Sequence, residues 1–156
     1  MPRQALPPGI RCGPWPPRGH QDAFWLGRIL KDRDLLPDHI LCSTATRTRE
    51  TLDHLLSAAE SSPATSFQAD LYLAPSRHMM RMLQNLDTTI TAPMIVGHNP
   101  GICQLFQDLV HNPPQDERSL KYPPGMMTIM DFDITDWSQL KSHTGQLFDM
   151  IMSLDK

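Results

Sequence analysis

No aspartate or glutamate precedes Asp22. The same opening stretch also lacks an apolar core, which excludes a secretory leader. Its acid-poor, arginine-containing composition would suit a transit peptide, but six prolines between Pro2 and Pro17 oppose the amphipathic helix such a peptide forms. Cysteine is scarce as well. Cys12, Cys42 and Cys103 are odd in number and far apart, which argues against a disulfide framework and against a zinc site. That usage fits a reducing, cytoplasmic setting. No apolar run approaches the roughly 18 residues a membrane span needs, so no membrane partner is expected. A net charge of -3 leaves no basic field for nucleic acid.

Proline, by contrast, is abundant, with 15 in 156 residues, about twice average usage. Six lie within the first 17 residues, where they forbid a helix or a central strand. Residues 1–17 therefore read as an irregular Pro-rich segment and residues 18–156 as one domain. At 40% hydrophobic and 20% charged residues, the chain has the composition of a globular domain with a real core.

Periodicity predicts a helix over Gly19–Arg33, with Phe24, Trp25, Ile29 and Leu30 as its apolar stripe. His39–Cys42 is a short apolar run of the kind a buried parallel strand shows, and it leads into the polar cluster Ser43-Thr44. A helix is predicted over Arg47–Ala59 and a loosely alternating strand over Phe67–Leu73. Pro75–Leu86 reads as a helix, Met94–Val96 as a strand and Ile102–Val110 as a helix. Asn112–Pro124 reads as a loop, and Met126–Phe132 and Gln146–Met152 as strands. Strands that alternate with helices predict an α/β domain with a mostly parallel sheet.

In such sheets ligands gather where strands end and helices begin. Two loops qualify. Gly97-His98-Asn99-Pro100-Gly101 puts an imidazole at a strand end, beside free N–H groups at a helix start that favour an anion. Ser43–Thr51 adds hydroxyls and two arginines, Arg47 and Arg49, whose guanidinium forks suit an oxyanion. A capped turn and a solvated helix start are the bland alternatives. Together the two loops point to an oxyanion pocket on one sheet edge.

These residues carry a resemblance. Pro17-Arg18-Gly19, Leu36-Pro37-Asp38, Leu41-Cys42-Ser43, the Ser-x-Ala-x-Arg-x-x-x-Thr pattern from Ser43 to Thr51, and Ile95-Val96-Gly97-His98-Asn99-Pro100-Gly101 resemble SixA-type members of the histidine phosphatase (phosphoglycerate mutase-like) superfamily. Lys121-Tyr122-Pro123 and the strand through Asp131-Phe132-Asp133 match the same subgroup. The resemblance implies a three-layer α/β fold with helices on both sheet faces. It also implies hydrolysis of phosphohistidine through a phosphohistidine intermediate on the enzyme, with a phosphorylated protein or a small phosphoryl donor as partner. Arg47 matches the clamp arginine and His98 the second histidine, the two catalytic positions present. Arg47, His98 and Asn99 are the phosphate-binding candidates. No metal or cofactor is expected.

The chain departs from that family at its nucleophile. The family places an attacking histidine in an Arg-His-Gly or Arg-His-Ala motif at the end of a first, central strand. Ahead of Gly19 there is no Arg-His pair, and the pair at Arg77-His78 lies in a predicted helix. His20 is at a helix start, and His39, His54, His78, His111 and His143 lack phosphate-binding surroundings. Asp131 and Asp133 are expected to face solvent or cap a turn. The expectation is a phosphatase-like domain without its first central strand and inactive as written, with a non-catalytic phosphate-binding or interaction remnant, or the product of a frameshifted or mis-started gene, as the alternative. A shifted reading frame would also account for the start. Cys12-Gly13-Pro14-Trp15, encoded TGC-GGC-CCT-TGG, reads Arg-Pro-Leu from its third base, a tripeptide common before Arg-Gly in SixA-type chains.

Overall fold

Pro17 is the first residue of a helix, where its missing N–H costs nothing and its fixed φ suits the first turn. The computed structural model describes residues 17–152, with side chains from residue 21 onward. The predicted Pro-rich segment lies outside the described residues except for Pro17. The predicted absence of a strand and nucleophile ahead of α1 also falls on residues outside the description.

The order is α1 (Pro17–Asp32), β1 (His39–Ser43), α2 (Thr46–Ala59), β2 (Ala64–Gln68), α3 (Ser76–Gln84), β3 (Pro93–Val96), α4 (Gly101–Leu109), α5 (Glu117–Lys121), β4 (Met127–Asp131) and β5 (Gln146–Ile151). Single 3-10 turns occupy Ala69–Leu71 and Trp137–Gln139. β1 is the middle of a parallel sheet ordered β2-β1-β3, with Cys42 opposite both Phe67 and Val96. β4 and β5 form an antiparallel pair with a bulge at Ile129/Met130.

The predicted α/β architecture with helices on both sheet faces is the one observed. Strand side chains alternate between faces. Ile40, Cys42, Met94 and Val96 meet Leu52 and Leu56 of α2 on one side. Leu41 and Ile95 meet Met79, Leu83, Leu105 and Leu109 of α3 and α4 on the other. The β4–β5 pair sits under the same two layers. Met127 and Ile129 share a cluster with Met94, Leu26, Leu30 and Leu55, while Met130 shares one with Ile95 and Leu105. Yet among the described residues no strand joins β3 to β4. The four residues of β3 are all half-buried, whereas β1 is buried from Ile40 to Ser43.

Three expectations shift in detail. The buried face of α1 runs through Ala23, Leu26, Gly27 and Leu30, and Phe24, Trp25 and Ile29 are only half-buried. Gly27 sets that face, because a Cβ on it would stand 2.1 Å from the Leu55 carbonyl oxygen of α2. The strand predicted over Phe67–Leu73 instead covers Ala64–Gln68, where it pairs with β1, and the chain then tightens into the 3-10 turn. The Asn112–Pro124 loop holds the short helix α5, capped by Asp116, whose carboxylate accepts the Ser119 N–H at 2.8 Å.

Candidate oxyanion site

β1 and β3 are parallel neighbours, so the loops that follow them open on the same edge of the sheet. After β1, the chain turns into α2 around Ser43, which is fully buried. The Thr48 hydroxyl lies 2.8 Å from the carbonyl oxygens of both Ser43 and Ala45 and clasps the turn from inside the helix. The Ala45 N–H donates to Ser43 Oγ at 3.2 Å. This geometry puts Arg47 in the first turn of α2, exposed to solvent.

After β3, Gly97-His98-Asn99-Pro100 leads into α4 with a cis Asn99–Pro100 bond. The His98 carbonyl already accepts the Ile102 N–H at 2.9 Å, so the helix ladder begins at the histidine. Asn99 Oδ1 accepts the Cys103 N–H at 3.2 Å and its Nδ2 donates to the Tyr122 carbonyl at 2.7 Å. The Asn99 side chain thus ties α4 to the end of α5.

The two loops meet at His98, whose Nε2 lies 2.8 Å from Ser43 Oγ. Tyr72, from the turn after β2, sets its ring against the imidazole in a T-shaped arrangement with centroids 5.0 Å apart. Burial pushes the His98 pKa below its ordinary value, and the positive charge of Arg47 pushes it the same way. The charge of Arg47, from the start of α2, thus bears on the imidazole carried by the loop after β3 and favours its neutral form. An oxyanion held beside both groups would favour the protonated imidazole and offset these two effects.

Arg49 is placed differently. Its Nε donates to the Thr44 carbonyl at 3.1 Å, and its guanidinium lies 4.4 Å from the centre of the Phe67 ring. His78 pairs with Asp70 at 2.9 Å, His54 is buried in α2, and His111 Nδ1 lies 3.1 Å from the His143 carbonyl. His20 lies in α1, its side chain outside the described ones. Asp131 and Asp133 are exposed, as predicted. Ser43 and Tyr72 are the site residues that sequence reading missed. Ser43 stood inside a recognised loop without a role, and Tyr72 carried no local signal.

Comparison with solved structures decides the fold. A chain assigned as phosphohistidine phosphatase SixA from Nakamurella multipartitia superposes with a TM-score of 0.71 at 24% identity, over 88% of this chain and 83% of that one. A SixA chain from Agrobacterium tumefaciens gives 0.71 at 22%, over 95% and 90%. The protein histidine phosphatase SixA complexed with tungstate gives 0.73 at 14%, over 91% and 85%.

The chain has the SixA-type histidine phosphatase fold.

Within that fold, Arg47 lies in the first turn of α2 and His98 in the loop after β3. No family model matches the sequence. An uncharacterized protein of Mycobacterium tuberculosis is 33% identical over 100 residues, which is 63% of this chain and 61% of the relative. The match thus spans about three fifths of that relative's length. An uncharacterized protein of Mycobacterium leprae is 27% identical over 135 residues, 84% of this chain and 81% of the relative. Among the described residues no helix is long and apolar enough to cross a membrane, and no three metal-binding side chains cluster.

Proposed function

We propose that the chain is a SixA-like phosphohistidine-phosphatase domain whose Arg47–His98 pocket binds a phosphoryl oxyanion, and that the 156-residue polypeptide does so without turnover. The observation that supports this reading is that Arg47, in the first turn of the helix after β1, bears electrostatically on His98, in the loop after the neighbouring parallel strand β3. A related chain of the same fold holds tungstate, a tetrahedral oxyanion. The substrate class that fits is a phosphorylated protein or a small phosphoryl donor.

In this reading Arg47 offers its guanidinium fork to two phosphoryl oxygens and His98 offers an N–H, which becomes charged as pH falls. Such donors stabilise the charge spread over a transferring phosphoryl group. The family's reaction needs a nucleophile that forms a bond to phosphorus while the bond to the leaving group breaks. The 156 residues supply no histidine in an Arg-His motif ahead of α1. Cys42, one residue from the pocket, does not replace it. Burial pushes its thiol up to about 11, and its Sγ donates to the Ser43 carbonyl at 3.3 Å.

Sulfate tests the pocket, because its charge is constant across the imidazole range. Protonated His98 attracts the anion and neutral His98 does not. Affinity is therefore expected to rise about tenfold as pH falls through and below the ordinary imidazole pKa of about 6.5. It should level off once the depressed pKa of His98 is passed. His98→Gln is expected to flatten that dependence. A flat profile in the unmodified chain, or the same slope in His98→Gln, would remove His98 from the site.

One observation favours a second reading, a gene whose frame or start is displaced. The half-buried β3 and the β4–β5 pair lie under the same two helical layers with no described strand between them. The nucleotide sequence upstream of and through codon 20 tests it. An alternative frame that encodes a strand ending in Arg-His supports the reading, and its absence removes it.

A further inference from the structure

We infer that Tyr72 is a positioning residue for His98, holding the imidazole so that its Nε2 meets Ser43 and its exposed side faces the oxyanion. The inference rests on the proposed oxyanion site and names a residue that the site's two loops do not contain.

Three observations support it. The first is contact: the Tyr72 and His98 rings lie 5.0 Å apart at an interplanar angle of 75°. Aromatic rings favour this arrangement because a positive ring edge meets a negative face. The second is the way Tyr72 is presented. It follows the 3-10 turn Ala69–Leu71, and the next residue, Leu73, has φ 52, a left-handed conformation that disfavours a side chain with a Cβ. Strain of this kind persists where surrounding structure enforces it. Here the anchors are visible: Leu71 and Ala74, on either side of Tyr72-Leu73, are both buried.

The third observation links the turn to the loop that carries His98. Gly101, at the start of α4, lies so close to the turn that a Cβ on it would stand 2.1 Å from the Ala74 carbonyl oxygen. The turn after β2 and the loop after β3 are thus pressed together through a glycine. Tyr72 is held at one end of this contact and His98 at the other. Nevertheless Tyr72 is 55% exposed, and Leu73 is 58% exposed. Large apolar side chains left in solvent on a strained turn do little for the core. The ring contact with His98 gives Tyr72 a role that burial does not.

Among the described residues, three groups bear on the imidazole. Ser43 approaches from the end of β1, Arg47 acts from α2 with its positive charge, and Tyr72 covers the ring from the turn after β2. Removing Tyr72 would open His98 to water, while Ser43 and Arg47 stay in place. The burial that depresses the His98 pKa would weaken, and the pKa would move up toward its ordinary value.

The test compares the full chain with Tyr72→Ala and Tyr72→Phe. His98 ring resonances, assigned by their loss in His98→Gln, are titrated by NMR. Sulfate affinity is measured for each variant at a pH below the His98 pKa found in that titration, where the imidazole is protonated in all of them, so that a change in pKa contributes little. Tyr72→Ala is expected to raise the His98 pKa and to weaken sulfate binding about threefold to tenfold. Tyr72→Phe is expected to keep both as in the unmodified chain. Thermal melts check that the exposed substitution leaves the fold intact. If Tyr72→Ala leaves the pKa and the affinity unchanged, or if Tyr72→Phe disturbs them as much as Tyr72→Ala, the inference is overturned. If the unmodified chain binds no sulfate, the oxyanion reading fails. The NMR titration still decides the matter for Tyr72, since an unmoved His98 pKa in Tyr72→Ala overturns its role and a raised one supports it.

Discussion

Gly27→Ala is expected to lower the melting temperature by about 4–8 °C, from a net loss of about 2 kcal/mol in a chain of this size. The added methyl would stand 2.1 Å from the Leu55 carbonyl oxygen and 3.0 Å from the Ala58 Cβ. Backbone cannot step aside as a flexible side chain can, so α1 and α2 must move apart. Overpacking of that kind costs about 3 kcal/mol at the upper end of its usual range. Alanine's better helix propensity returns about 1 kcal/mol. The separation would also strip Leu26, Leu30 and Leu55 from their shared cluster. Thermal unfolding by circular dichroism checks it, and an unchanged or raised melting temperature would contradict the close helix crossing.

The second large effect concerns chemistry. Incubated with a phosphohistidine-bearing protein or a small phosphoryl donor, the 156-residue chain is expected to show no phosphohistidine adduct and no hydrolysis above buffer. Loss of a nucleophile removes the covalent route altogether, whereas loss of one stabilising donor only slows it. Intact-mass spectrometry at neutral or alkaline pH reads the adduct as an added phosphoryl group. An adduct would overturn the expectation, and mapping it to His98 or His20 would identify an unforeseen nucleophile.

Much of the site is legible in the sequence because each loop follows a simple rule. A short apolar run followed by small and polar residues marks a parallel strand that feeds a helix. His39–Ser43 and Pro93–Val96 obey it, and they carry Arg47 and His98 to one sheet edge. Other features have no local signature. Tyr72 reaches His98 only through the tertiary fold, and the sequence pattern around it reads as a strand when the chain is in fact turning. The hidden role of Ser43 has the same origin, since its partner lies on another strand's loop. Helix α5 escapes notice because a single five-residue turn amid prolines shows no periodicity. The apolar stripe of α1 is partly legible, since Leu30 is buried and Trp25 and Ile29 pack against its cluster, but the crossing with α2 is set by Gly27, a residue with no side chain.

The Asn99 side chain shows how a motif residue can serve structure and site together. Its two bonds, to the Cys103 N–H and the Tyr122 carbonyl, fix the start of α4 directly after His98. A phosphate-binding role for Asn99 would therefore fall to its backbone, with the side chain holding that backbone in place.

Calorimetric titration of the full chain with inorganic phosphate, alongside Arg47→Ala, tests most directly whether the two loops form an oxyanion site. The unmodified chain is expected to bind one phosphate, and Arg47→Ala to bind it about 10- to 100-fold more weakly, the worth of a charge-assisted hydrogen-bonding pair. No binding by the unmodified chain, or equal binding by both, would contradict the account.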